Sequence, residues 1–181
     1  MAVAEKTLHS ERIFSGKILN LRVDTVALPG GQSATREIVE HPGAVGIIAV
    51  DEDETVYLVR QYRKPVEEAL LEIPAGKLEP EEDPLECARR ELLEETGLIA
   101  ESLEEVLAYY TTPGFTSERL HIFVARQLKP GKSNPDQDEF LELVKMPLDE
   151  AYQKIAGGDI KDGKSIIAIQ HLVLQRAGAR D

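Results

Sequence analysis

The stretch GKLEPEEDPLECARRELLEETGL, Gly76–Leu98, contains a full set of signals for one helix and the loop before it. Asp83 is a good N-cap residue, Pro84 fits the first helical position, and Gly97 suits the left-handed turn that ends many helices. Apolar residues recur between these signals at helical spacing, which predicts a face that packs on a core. They are Leu85, Ala88 and Leu92. The stretch therefore predicts a loop followed by a helix that the rest of the fold must cover on one side.

The same stretch concentrates negative charge, with eight acidic and three basic side chains. Glu95 lies four residues after Glu91 and shares its face of the helix, and Glu94, three residues after Glu91, nearly does. Such like charges repel by roughly 0.2–0.5 kcal/mol per pair, and they lie at the helix end where the dipole disfavours anions. A bound hard cation such as Mg²⁺ would explain the arrangement, because it takes carboxylate oxygens. An ordinary solvated acidic face is the alternative interpretation.

Length and charge restrict the possible functions. The chain of 181 residues is long enough for one domain, or one domain with a small appendage, and its net charge of −12 argues against a nucleic-acid partner. Cys87 is the only cysteine, which fits a reducing compartment. The longest apolar run, residues 44–50, is too short to span a bilayer, and the N-terminus lacks the apolar core of a signal peptide. We expect a cytoplasmic protein without a membrane partner, and a small phosphorylated ligand remains possible.

The order of the predicted elements indicates an α+β fold and argues against a doubly wound parallel sheet. The first forty residues resemble strands around the turn signal at residues 29–31. Further strands lie on both sides of the helix, and two helices close the chain. The later strands are predicted at 45–50, 55–61, 70–74, 103–111, 120–126 and 140–146, and the helices at 148–156 and 165–177. Residues 128–138 are predicted as a polar loop. We divide the chain into an N-terminal β subdomain, 1–42, and a larger domain, 43–181.

The spacing of particular residues is more specific than the charge. Five residues separate Gly76 from Glu82, seven separate Glu82 from Arg90-Glu91-Leu92, and single residues precede Glu94-Glu95 and Gly97-Leu98. This is the complete pattern of the Nudix box, and the chain therefore resembles the Nudix hydrolases. The resemblance implies an α/β/α sandwich with mixed sheets. It also implies hydrolysis of a nucleoside diphosphate linked to another moiety, with water attacking phosphorus.

The resemblance further implies a site for Mg²⁺ or Mn²⁺. The implied ligands are Glu91 and Glu95, Glu94 in an assisting role, and the backbone carbonyl of Ala75. Arg90 and Glu82 would tie the loop to the helix through charge-assisted hydrogen bonds, which places Arg90 among the catalytic candidates. Carboxylates suit this chemistry, because metal ions that bridge a diphosphate neutralise its charge and lower the pKa of water.

A further carboxylate is expected to activate the attacking water. In the resembling branch this residue lies on a loop well after the box, and Glu139 is our candidate. The rivals are Asp136, Asp138 and Glu118, together with Glu91 and Glu94 of the box. A carboxylate within reach of the water is sufficient for this role, so the residues alone leave the choice open.

Other segments resemble the ADP-ribose pyrophosphatase branch of the family. Pro113 lies fifteen residues beyond Leu98, and residues 36–45, 59–65 and 72–76 share the branch's pattern. The resemblance assigns substrate contacts to Arg36, Arg63, Glu72 and Gly114. Arginine is a natural fork for phosphate, although a surface ion pair is the alternative for each one. The resemblance to this branch also implies a homodimer that exchanges the N-terminal strands.

Two questions of function stay open at this point. The substrate is expected to be ADP-ribose, with another nucleotide sugar or related diphosphate as the alternative and a sensor without turnover as a third possibility. The contact to adenine is also open, because Ile18 stands where some relatives have an aromatic residue. Phe14 or Tyr62 could stack on the base in its place.

Overall fold

The computed structural model describes residues 4–134 and 140–178 and divides the chain into two compact units. The first unit runs to Gly43 and includes Tyr109–Arg119. The second unit comprises Ala44–Ala108 and the chain from Leu120 onward. The sequence placed a boundary after residue 42 and did not group the segment 109–119 with the N-terminal strands.

The first unit is built on a three-stranded antiparallel sheet with the order β1-β2-β3. The strands are β1 (Lys6–Ser15), β2 (Asn20–Ala27) and β3 (Ser33–Glu40). Gly30 and Gly31 turn the chain between β2 and β3 with φ angles of 98° and 87°, a region that glycine enters without steric cost. Val39 of β3 holds the segment 109–119 by accepting from the Ser117 amide at 3.0 Å and donating to the Phe115 carbonyl at 2.8 Å.

The second unit contains a seven-stranded mixed sheet and three helices. The strands are β4 (Ala44–Val50), β5 (Thr55–Arg63), β6 (Glu68–Glu72), β7 (Ala75–Lys77), β8 (Leu98–Tyr110), β9 (Arg119–Pro130) and β10 (Glu142–Pro147). The helices are α1 (Pro84–Thr96), α2 (Leu148–Ala156) and α3 (Gly163–Gly178). The main order is β10-β5-β4-β9-β8, with β6 paired to β5 and β7 paired to β4. Since β4 and β9 run parallel while β5 pairs antiparallel with β4, the predicted α+β class with mixed sheets is confirmed.

Strand β4 lies at the centre of this unit and is covered on both faces. Val45, Ile47 and Ala49 pack with the buried face of α1, whereas α3 also contacts β4. Six of the seven β4 residues are buried, as expected for a strand inside an α/β/α sandwich. The packing against β4 fixes the position of α1, and with it the position of the helix's charged face.

Helix α1 begins and ends where its sequence predicted. The Asp83 carboxylate accepts a hydrogen bond from the Leu85 amide at 2.9 Å, and Pro84 occupies the first turn. Gly97 ends the helix with φ 69°, and its amide donates to the Leu93 carbonyl at 2.9 Å. These caps satisfy backbone groups that would otherwise lack partners at the helix ends.

Several predicted bounds are wrong. Strand β9 continues to Pro130, so residues 128–130 do not belong to the predicted polar loop. An ion pair between Lys129 and Glu101 of β8, and a 2.7 Å bond from the Gly131 amide to the Gly97 carbonyl, hold this end of the strand despite its polar sequence. Strand β6 ends at Glu72, which leaves Ile73 and Pro74 as a connection to β7. In the described parts of the chain, no helix is long and apolar enough to cross a membrane.

Candidate active site

Ala75 and Gly76, the first two residues of β7, lie close to the acidic face of α1. A Cβ atom on Gly76 would lie only 1.8 Å from Oε1 of Glu91, so this position accepts no side chain unless the carboxylate moves. One turn further along α1, Oε2 of Glu95 accepts a hydrogen bond from the Ala75 amide at 3.1 Å. Glu95 is only 6% exposed. The carboxylates of Glu91 and Glu95 therefore lie beside two adjacent residues of β7, Gly76 and Ala75.

Arg90 lies at the centre of the acidic cluster. Its Nε and Nη2 donate to the two carboxylate oxygens of Glu82 at 3.0 and 3.1 Å. Its Nη1 donates to Glu91 at 2.7 Å and to Glu94 at 3.1 Å. The hydrogen bonds from Arg90 lower the pKa of Glu82 to about 2. In turn, the hydrogen bond with Glu82 and the charge of Glu91 raise the pKa of Arg90. The repulsion expected from the sequence is thus offset in part by one internal cation.

The donor atoms fit a hard divalent cation. Glu91 and Glu95 supply carboxylate oxygens beside Ala75, whose carbonyl is the predicted backbone ligand, and such oxygen donors suit Mg²⁺ or Mn²⁺. Among residues 4–134 and 140–178, however, no three His, Cys, Asp or Glu side chains form a preassembled metal cluster. In this structure Glu91 and Glu94 instead accept hydrogen bonds from the Arg90 guanidinium.

Arg63 and Glu72, both predicted to contact substrate, form a bidentate ion pair. The distances are 2.8 Å from Nε to Oε1 and 2.9 Å from Nη2 to Oε2. The Glu72 side chain is 2% exposed, and Lys164 of α3 is its second cationic partner. Burial raises the pKa of Glu72, but Arg63 and Lys164 more than reverse that effect, so its pKa is lowered overall. The Glu72 contact raises the pKa of Arg63, and the charges of Glu95 and Asp162 add to it.

The remaining predicted residues lie in the first unit or outside the described residues. Arg36 on β3 forms an exposed ion pair with Glu5. Gly114 is exposed, and a Cβ there would meet nothing within 4 Å. The Glu118 carboxylate accepts from the Thr111 hydroxyl at 2.7 Å. Glu139 and its rivals Asp136 and Asp138 lie outside the described residues.

The contribution of α3 to the site was not predicted from the sequence. Lys164 contacts Glu72, and Ser165 accepts a hydrogen bond from the Ile73 amide at 2.8 Å. An N-cap pattern, Asp162 three residues before Ser165, was visible in the sequence. Nothing local could show that this helix end meets residues more than ninety positions earlier in the chain, because such contacts depend on the packing of α3.

Comparison with known proteins decides the family. Residues 40–167 match the model of the NUDIX domain. The chain belongs to the Nudix family. This confirms the relationship inferred from the box, and the chain is a Nudix hydrolase. Residues 5–39 also match the nucleoside diphosphate sugar hydrolase N-terminal domain.

Two curated relatives match this Nudix hydrolase over nearly their full lengths. A Bacillus methanolicus protein named methanol dehydrogenase activator is 49% identical, covering 96% of this chain and 95% of the relative. A Bacillus subtilis (strain 168) protein named ADP-ribose pyrophosphatase is 44% identical, covering 97% of this chain and 96% of the relative. A solved structure, "Crystal structure of ADP compounds hydrolase", has the same fold with a TM-score of 0.87 at 23% identity, covering 99% of this chain and 97% of that one.

Proposed function

We propose that this Nudix hydrolase cleaves the diphosphate of ADP-ribose, giving AMP and ribose 5-phosphate. The observation that carries the proposal is the approach of Glu91 and Glu95 to Ala75 and Gly76 at the start of β7, which gathers oxygen donors at one point. The 44% identity to the Bacillus subtilis protein named ADP-ribose pyrophosphatase supports the choice of substrate.

In this proposal Ala75, Glu91 and Glu95 hold Mg²⁺ or Mn²⁺, with Glu94 assisting. The chemistry that the ion supplies when bound is neutralisation of diphosphate charge and a lower pKa for water. Arg90 orients the carboxylates of the box, because its guanidinium contacts Glu82, Glu91 and Glu94 at once. A positioned guanidinium fixes their geometry more firmly than an exposed single pair would.

The proposed base is Glu139, which accepts the proton of the attacking water. Of the described residues before it, Ser133 and Asn134 contact the last turn of α1, since the Asn134 amide and the Ser133 hydroxyl donate to the Glu94 carbonyl at 3.2 and 2.7 Å. Glu94 and Glu118 are the alternatives that mutation must separate.

Substrate contacts are proposed for Arg36, Arg63, Glu72 and Gly114. The two arginines would bind phosphate or ribose oxygens, and Glu72 would accept hydrogen bonds from polar groups of the nucleotide. Gly114 leaves open space that a ligand can approach. In the described structure Arg36 and Arg63 pair with Glu5 and Glu72, so a phosphate would have to share or replace these partners.

We also propose a cytoplasmic homodimer in which residues 1–42 form the dimerisation domain and residues 43–181 the catalytic domain. Strand β1 is exposed at all ten positions and carries several large apolar side chains that water solvates poorly. The most exposed are Leu8, Ile13 and Phe14. Light scattering should give twice the chain mass for the wild type and a shift toward the monomer for Ile13→Glu. A monomeric wild type at micromolar concentration would overturn this assembly.

One assay tests the reaction. The purified protein is incubated with Mg²⁺ and ADP-ribose, GDP-mannose, NADH, a dinucleoside polyphosphate or ATP, and the products are separated by chromatography. We expect AMP and ribose 5-phosphate from ADP-ribose, with no product in the presence of a chelator. In heavy-oxygen water the label should enter a phosphate group, as attack on phosphorus requires.

The other outcomes separate the alternatives. Preference for GDP-mannose or another compound would keep the hydrolase but change the substrate to a different nucleoside diphosphate derivative. Binding of ADP-ribose without any turnover would indicate the sensor. Turnover that a chelator does not affect would overturn the proposed metal dependence.

A second candidate function is activation of a dehydrogenase. It is favoured by the 49% identity to the protein named methanol dehydrogenase activator. Adding the wild-type chain and the Glu95→Gln variant to a bacterial methanol dehydrogenase tests it. Stimulation by the wild type alone would connect activation to the proposed hydrolytic site, and absence of stimulation by either protein would reject the candidate.

A further inference from the structure

The N-terminal turn of α3 contacts the connection between β6 and β7, which leads to the proposed metal ligand Ala75. The Ile73 amide donates a hydrogen bond to Oγ of Ser165 at 2.8 Å, although the two residues are 92 positions apart. Both residues are fully buried. Ile73 lies between β6 and β7, two residues before Ala75. A buried amide without a hydrogen-bond partner costs free energy, and the Ser165 hydroxyl is the acceptor for the Ile73 amide.

Asp162 fixes the orientation of the Ser165 hydroxyl. Ser165 donates from Oγ to Oδ2 of Asp162 at 2.6 Å, and its amide donates to the same oxygen at 3.0 Å. A hydroxyl has a single proton to donate, so Oγ accepts from Ile73 while it donates to Asp162. The two bonds form a directed chain from the Ile73 amide to a carboxylate, and each bond polarises the other.

The next residues of the connection are anchored by other elements. The Pro74 carbonyl accepts from the Ile47 amide of β4 at 2.8 Å, and the Ala75 amide donates to Glu95 of α1 at 3.1 Å. Three successive residues are therefore held by three different elements. Ser165 is the anchor contributed by α3. Losing it would leave the peptides that lead into Ala75 with only the anchors from β4 and α1.

Lys164 gives the same helix end a second attachment. Its ammonium pairs with Glu72, the last residue of β6, and lies 3.1 Å from Oδ2 of Asp162. The Lys164 side chain is 13% exposed. The turn of α3 thus holds both the end of β6 and the residue that follows it.

We propose that Ser165 is a positioning residue, which sets the Ala75 carbonyl for metal binding through the Ile73 amide. This inference rests on the proposed metal site at Ala75, Glu91 and Glu95. Partners that orient a metal ligand commonly change metal affinity by roughly 10- to 100-fold when they are removed. We therefore expect Ser165→Ala to weaken Mn²⁺ binding by about tenfold, the lower end of that range.

The test measures Mn²⁺ affinity directly, from the electron paramagnetic resonance signal of the free ion, in the full-length protein without substrate. Ala168→Gly is the matched control, because Ala168 is buried in the same helix, its replacement lowers the melting temperature, and its methyl side chain offers no acceptor to the Ile73 amide. The expected result is weaker Mn²⁺ binding for Ser165→Ala and wild-type binding for Ala168→Gly. Ser165→Cys keeps a small side chain with a weak acceptor and should fall between Ser165→Ala and the wild type.

The outcomes distinguish failure of this inference from failure of the metal site. If Glu95→Gln loses Mn²⁺ while Ser165→Ala and Ser165→Cys bind it as the wild type does, the inference is overturned and the metal site stands. If Ala168→Gly weakens binding as much as Ser165→Ala at an equal loss of melting temperature, the effect is one of stability and the inference is also overturned. If the wild type binds no Mn²⁺, both the metal site and the inference fail. Should Ser165→Ala not fold, the comparison of Ser165→Cys with Ala168→Gly decides in the same way.

Discussion

Strands β1 and β4 show how differently the two units of this protein use their sheets. Strand β1 is exposed at all ten positions, whereas six of the seven residues of β4 are buried. Strand β4 supports the candidate site, with α1 and α3 both in contact with it. A site that needs fixed geometry is therefore built on the buried strand. The exposed strand carries apolar side chains that we assign to dimerisation.

One ion pair from each unit shows a similar contrast. Arg36 and Glu5 of the first unit have side chains 40% and 36% exposed, so water and salt screen their attraction and the pair contributes little to stability. Glu72 of the second unit is 2% exposed and has Arg63 and Lys164 as partners. Removing one partner of a buried pair leaves a charge that water cannot solvate, which costs several kcal/mol in typical cases.

The largest expected difference between the units concerns their apolar residues. Ile47→Ala should lower the free energy of unfolding by roughly 2–5 kcal/mol, because it removes a fully buried side chain and leaves a cavity. Ile13→Ala, at 51% exposure, should change it by about 0.5 kcal/mol or less at low protein concentration. Urea unfolding measures both. A large, concentration-independent loss for Ile13→Ala would contradict the comparison, whereas a loss that grows with concentration would support a dimer.

The next effect is catalytic. Glu95→Gln keeps the side-chain shape and an oxygen that can still accept from the Ala75 amide, but it removes a charge from the candidate metal site. We expect turnover of ADP-ribose to fall by roughly a hundredfold or more, with folding intact, as for the loss of other key electrostatic groups. Glu11→Gln makes the same change on exposed β1 and should leave turnover unchanged. Near-wild-type turnover by Glu95→Gln would remove Glu95 from the metal site.

A smaller effect should appear in the acid range. Arg90 lowers the folded-state pKa of Glu82 from 4.5 to about 2, so the folded protein binds this proton less readily than the unfolded chain does. The stabilisation is complete above the unfolded value of 4.5 and is lost as the pH falls from there toward about 2. Urea midpoints at several pH values should show that wild type and Glu82→Gln converge across this window. Exposed Glu104→Gln serves as the control, and a difference that stays constant with pH would contradict the assignment.

The smallest expected effect is a difference in the labelling rate of the Cys87 thiol, which reports on the second unit alone. Burial raises the pKa of the Cys87 thiol to about 12, so almost no thiolate is present at pH 8. Iodoacetamide should therefore label the native protein slowly and the urea-unfolded protein quickly. At a protein concentration low enough to give the monomer, an Ile13→Cys variant should add one rapidly labelled thiol in the exposed strand. Rapid labelling of Cys87 in the native wild type would show that the second unit opens more readily than its burial implies.

The signals that could be predicted from sequence were the short-range ones. The caps of α1 depend on Asp83, Pro84 and Gly97, which act on neighbouring backbone groups, and the structure has them where the sequence placed them. Strand β9 passes beyond its predicted end because pairing with β8 outweighs its polar composition. Such pairing depends on which strand lies next to β9 in the sheet, and the local sequence pattern does not indicate that neighbour.

The sequence by itself determined the helix, its acidic face and the Nudix box, because spacing along a helix fixes which side chains share a face. Only the tertiary structure decided that Arg63 and Lys164 both pair with Glu72, and that Ser165 reaches Ile73. These contacts join residues that helix and strand periodicity do not relate. They arise when buried faces pack against β4 and bring distant polar groups to one place, where each must find a partner away from water.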